Sequence, residues 1–71
     1  MDAERLAECG RALFGAQWQS DMGRALQVND RTVRRWLKGE RPIPDRVSAD
    51  VNGLLASRMA EIERLRQETG Q

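Results

Sequence analysis

From Gln19 to Trp36 the chain places Met22, Ala25 and Leu26, then Val28, Val33 and Trp36 with Leu37, three or four residues apart on either side of one break at Gln27 to Asn29. A helical period interrupted once reads as two short helices joined by a tight turn. Helices this short are not stable alone in water, so they must cross and share a core with the rest of the chain. Gly23 supports that crossing. A glycine inside a helix costs about 0.5–1 kcal/mol relative to alanine, so its presence marks the close approach of another backbone, here expected from the second helix. Asn29 suits an N-cap, with Asp30 adding a negative charge to the first turn, which predicts a helix over 30–38. Lys38 and Gly39 form its stop.

At 71 residues the chain is read as one domain, 1–71, with no room for a second lobe and a catalytic cleft. Hydrophobic residues make up 39% and charged ones 32%, a balance that fits a small folded bundle better than a disordered tail. β-Branched residues are few and never alternate, so the fold class is all-α with four helices.

The first helix is expected from Asp2 or Ala3 to about Phe14, with Leu6, Cys9, Gly10 and Leu13 inward and Gly15 as its end. Trp18 precedes the second helix, either stapled to Met22 or simply part of the core. The connector from Gly39 to Pro44 cannot be helical throughout, because Pro42 and Pro44 push the residues before them toward extended backbone. Pro44 suits the first turn of a fourth helix that carries Val47, Val51, Leu54, Leu55, Met59, Ile62 and Leu65. Asn52-Gly53 is its one candidate break. A continuous helix to Glu68 spans roughly 37 Å at 1.5 Å per residue, longer than so small a bundle can cover. The stripe Leu55, Met59, Ile62 and Leu65, interrupted by Arg58, then has two outlets: its own copy in a second subunit, or the first helix of the same chain.

One cysteine, Cys9, and no histidine leave no internal disulfide and no zinc site of ordinary composition; Cys9 reads as a small buried hydrophobe. No stretch is long and apolar enough to cross a bilayer, and the charged start Met1-Asp2-Ala3-Glu4-Arg5 does not resemble a signal peptide, so a cytoplasmic location is expected. The net charge of +1 hides a division along the chain: residues 1–18 carry −1, residues 47–71 carry −1, and residues 19–46 carry +3. Positive charge is concentrated on the two-helix segment. Without histidine, a glycine-rich phosphate loop or a paired acid site, no constellation for acid–base, nucleophilic or metal catalysis assembles, and no cofactor is implied.

The run Arg31-Thr32-Val33-Arg34-Arg35-Trp36, followed by Lys38-Gly39-Glu40-Arg41-Pro42, resembles the small phage-repressor and Cro-like helix-turn-helix regulators over about Trp18 to Pro44. Two positions depart from that pattern: Gln27 stands in the turn where the family usually has glycine, and Gly23 where it usually has alanine. The resemblance implies a lambda-repressor-like domain with an extended C-terminal helix that binds double-stranded DNA and regulates transcription. Helix 30–38 would enter the major groove, while the preceding helix crosses the backbone. Opposite the Val33, Trp36, Leu37 face lie Asn29, Asp30, Arg31, Arg34, Arg35 and Lys38.

Arg31 and Arg34, then Arg35, are the expected base readers, because a guanidinium can donate two bonds to guanine O6 and N7. Asn29 either reads adenine or only caps the helix. Asp30 either accepts from cytosine N4 or serves as a first-turn acid paired with Arg34. Gln19, Ser20, Thr32, Lys38 and Arg41 are expected on phosphates. Trp36 belongs to the core by its spacing. A chain with so few base contacts implies a homodimer on an inverted repeat, with Leu55, Met59, Ile62 and Leu65 in a dimerisation segment over 54–68. Repression is inferred from the resemblance and from the lack of a second domain to bind an inducer or recruit polymerase. The alternative is a protein-interaction module whose C-terminal helix captures a partner, as an antitoxin's tail binds its toxin.

Overall fold

The structure, a computed structural model, describes residues 1–70. Within them the chain forms four helices and no strand: α1 Ala3–Phe14, α2 Trp18–Leu26, α3 Asp30–Leu37 and α4 Asp45–Thr69. Asp2 caps α1, its carboxylate accepting from the Arg5 amide at 2.8 Å. Gly15, at φ 89°, ends the helix, with its amide still donating to Arg11 O. The long helix begins one residue later than its proline suggested. Pro44 is extended at ψ 150° and stands just outside α4 as its N-cap, so its ring fixes the entry to the helix. Asn52-Gly53 leaves α4 unbroken.

The ends of α2 and α3 share one solution. After α2, the Val28 amide donates to Gly23 O at 2.8 Å and the Gln27 amide to Arg24 O at 3.2 Å. After α3, the Glu40 amide donates to Arg35 O at 3.0 Å and the Gly39 amide to Trp36 O at 3.1 Å. Both ends recover carbonyls that a helix terminus would leave unpaired, by turning one residue left-handed. That residue is Gly39 at φ 75° in one and Gln27 at φ 60° in the other. Gln27, which stands where the resembled family usually has glycine, thus takes the left-handed conformation on a residue with a Cβ.

The core is built from Leu6 and Leu13 of α1, Trp18, Met22 and Leu26 of α2, Val33 and Trp36 of α3, and Val47 and Val51 of α4. Trp36 faces inward, as its spacing requires. Trp18 is inside α2 rather than before it, and it is buried on Gly10: a Cβ there would lie 2.1 Å from Trp18 Cε3. At Gly23 the close neighbour is the turn itself. A Cβ would sit 2.9 Å from Val28 O and 3.5 Å from the amide nitrogen of Asp30, so the start of α3 rests on α2 through backbone.

Two small expectations fail. Cys9 is half-buried rather than enclosed, because it lies at the edge of the inward face of α1. Ala25 is exposed, the inward side of α2 being filled by Met22 and Leu26.

The molecule measures 48 × 22 × 20 Å because α4 outruns the body. Leu54 and Leu55 are half-buried against the core, and Arg58 turns back to donate to Leu13 O, the end of α1, at 2.7 Å. Past that point no described residue covers the helix. Met59, Ile62 and Leu65 are 71, 54 and 45% exposed. The stripe thus divides: its root packs on the same chain, as a fold-back would require, and its continuation does not. No helix is long and apolar enough to cross a membrane among the described residues.

Candidate nucleic-acid interface

Val33 and Trp36 fix α3 from behind, and Asn29 fixes its start. The Asn29 Oδ1 accepts from the Thr32 amide at 2.8 Å and from the Thr32 hydroxyl at 3.0 Å. In the free chain Asn29 is the cap, and the oxygen that a bidentate pair with adenine would also need holds two bonds. Thr32 is drawn into the same cap, its hydroxyl donating to Asn29 Oδ1 and the residue half-buried. The hydroxyl would have to leave that bond to donate to a phosphate.

With those two residues engaged at the helix start, the outward face of α3 presents Arg31, Arg34 and Arg35 together with Asp30, all exposed. Positions 31 and 34, and 31 and 35, are helical neighbours three and four apart, so the three guanidinium stems rise from one side. Lys38 follows one residue past the helix end rather than within it, because the left-handed Gly39 ends the helix early. It is exposed, as is Arg41 in the connector.

Arg31, Arg35, Lys38 and Arg41 form no ion pair among the described residues. Arg34 does: its Nη1 donates to Asp30 Oδ2 at 2.9 Å, with both side chains about half exposed. Of the two expectations for Asp30, the free chain adopts the pairing with Arg34.

At the other end of the turn, α2 begins at Trp18 without any side-chain cap, and Gln19 and Ser20 stand in its first turn, half-buried and exposed respectively. Uncapped amides with the positive end of a helix dipole favour an anion. Nearby, Asp21 pairs with Arg24. The face therefore combines Arg31, Arg35, Lys38 and Arg41, without an ion-pair partner among the described residues, with the guanidinium of Arg34 held by Asp30 on a helix packed from behind.

Reading the sequence missed two residues that shape this arrangement. Arg58 looked like an interruption of an apolar stripe; in the fold it ties α4 to the end of α1 and so sets where the free tail begins. Gly10 seemed one small residue among several, and it is the floor for Trp18. Only the eight-residue offset between a glycine and a tryptophan hinted at it, and nothing in that spacing alone specifies contact.

Comparison with protein families, characterised proteins and solved structures finds no match to the chain.

Proposed function

We propose that the protein is a sequence-specific double-stranded-DNA-binding transcriptional regulator, a repressor, whose α2 and α3 act as a lambda-repressor-like helix-turn-helix. The observation that carries this reading is the face of α3: three exposed arginines on a helix whose other side is buried by Val33 and Trp36 and whose start is capped by Asn29. A rigid helix with guanidinium forks on its free side can enter a major groove and donate to guanine, each good pair discriminating by about 1–3 kcal/mol. Arg31, Arg34 and Arg35 read bases. Gln19, Ser20, Lys38 and Arg41 hold phosphates and set register without reading sequence.

One such helix offers few base contacts, so the protein works as a homodimer. Its recognition helices sit about 34 Å apart on an inverted repeat with half-sites about 10 base pairs apart. Met59, Ile62 and Leu65, with Leu55 at their root, supply the apolar seam. The same exposed stripe supports a second reading, in which the tail captures another protein and DNA binding is absent or shared with that partner. The two readings separate on one experiment: selection of bound sequences from a random duplex library at near-physiological salt, with Arg34→Ala as control. An enriched inverted repeat that disappears in a folded Arg34→Ala variant supports the regulator. No enrichment by the folded parent refutes it and favours the tail as the working surface.

A further inference from the structure

Among the arginines of α3, only Arg34 is held by another residue of the chain. Its partner, Asp30, sits one turn earlier at 2.9 Å, while Arg31 and Arg35 extend unpaired among the described residues. Asp30 is itself well fixed. It is the first residue of α3, follows the Asn29 cap, and its amide nitrogen lies 3.5 Å from where a Cβ on Gly23 would be, so its backbone rests against α2. The carboxylate also sits at the positive end of the helix, which favours its charge there.

We infer that Asp30 is a positioning residue that sets base specificity through Arg34, an assignment that rests on the DNA reading proposed above. By accepting from Nη1 it restricts a long side chain to a few orientations and leaves the Nε–Nη2 edge free for two parallel bonds to guanine O6 and N7. It acts against wrong sequences as well. Base edges in the major groove are rich in acceptors, and a carboxylate that meets them without an intervening guanidinium is repelled. A guanine that engages Arg34 keeps the cation between the two acceptors; another base does not. A carboxylate on a surface that must approach phosphates weakens binding to every duplex, and it is the selectivity at one base pair that compensates.

The test is library selection with the parent, Asp30→Asn, Arg34→Ala and the double variant, with melting recorded for each. The parent should show a guanine preference that Arg34→Ala removes. Asp30→Asn should weaken that same preference by about threefold or more, out of the roughly 5–150-fold that one bidentate pair commands, while leaving other positions of the site unchanged. It should also bind unrelated duplexes more tightly than the parent. In the double variant the guanine preference should match that of Arg34→Ala, since Asp30 acts through the arginine. Asp30→Glu, which reaches Arg34 from the same turn, should restore the preference.

A merely structural role would lower melting and weaken all positions together, and that result overturns the assignment. An undiminished guanine preference in Asp30→Asn overturns it too, with DNA reading intact. A parent that enriches no sequence fails at the earlier step, and the assignment falls with the DNA reading.

Discussion

α4 is one helix in two surroundings. From Val47 to Leu55 it lies on the body, with Val47 and Val51 fully buried; from Met59 onward every described residue is exposed. The first half is held by removal of apolar surface from water, at about 25 cal/mol per Å². The second half has, besides its own helical backbone, only local side-chain pairs: Arg64 with Glu68, Arg66 with Glu63, and Gln67 with Glu63. Such pairs contribute only about 0.2–0.5 kcal/mol each. Continuity of the helix across Arg58 therefore says little about what stabilises it on either side. The body is tuned by packing, where one methyl group can be decisive, and the tail by charge, where substitutions are mild unless a partner is present.

The largest effect that would test this contrast is in the body. Trp36→Ala empties the space behind α3 and is expected to cost about 3–5 kcal/mol, enough to unfold most of so small a domain. Thermal unfolding followed by circular dichroism checks it. A variant that melts like the parent would show that α3 is not fixed from behind. Within the body, the same methyl group added at a packed position and at an open one should act in opposite directions. Gly10→Ala drives a Cβ into the Trp18 ring and is expected to destabilise by about 1–3 kcal/mol. Gly53→Ala meets nothing within 4 Å on an exposed stretch of α4 and is expected to stabilise by about 0.5–1 kcal/mol. Chemical denaturation of the two variants side by side gives both signs; equal signs would break the comparison.

A smaller effect is expected at the end of α2. Gln27 holds the left-handed place that Gly39 holds after α3, so Gln27→Gly removes a Cβ from a conformation that disfavours it. Part of the gain is lost to the greater freedom of glycine in the unfolded chain. A net stabilisation of about 0.5–1 kcal/mol remains, read as a higher denaturation midpoint without a change in slope.

Much of this arrangement was legible in the sequence, and the parts that were share a cause. Asn29 as cap, Trp36 as core and the end of α1 at Gly15 follow from local rules, in which a residue's own chemistry specifies its backbone or its face. The parts that were not legible depend on residues distant in the chain. Trp18 on Gly10 and Arg58 on Leu13 O join positions whose proximity is created only by the crossing of helices. The split of the stripe between Leu55 and Met59 has the same origin, because the period continues unchanged while the body it packs against ends. On the candidate face, the identity and exposure of Arg31, Arg34 and Arg35 were readable from spacing. The commitment of Thr32's hydroxyl to Asn29 was not, since Ser, Thr and Asn side chains near a helix start have several local partners to choose from.

The mildest prediction belongs to the tail and isolates its charge-based stabilisation. Glu63 receives bonds from the Arg66 guanidinium and, secondarily, from the Gln67 amide, and these hold its carboxyl below the ordinary value of 4.5. A lowered folded-state pKa means that the pair adds stability above 4.5 and loses it as pH falls through the folded value. Acidification across that range should therefore loosen the last turns of α4 before the body responds. Carboxyl-carbon NMR titration reads the group directly: Glu63 should titrate below the ordinary glutamate value. In Arg66→Ala, Glu63 should move up toward that ordinary value. A Glu63 that titrates at the ordinary value in the parent would mean that the tail's pairs are too transient to hold it, leaving backbone propensity as the source of its helicity.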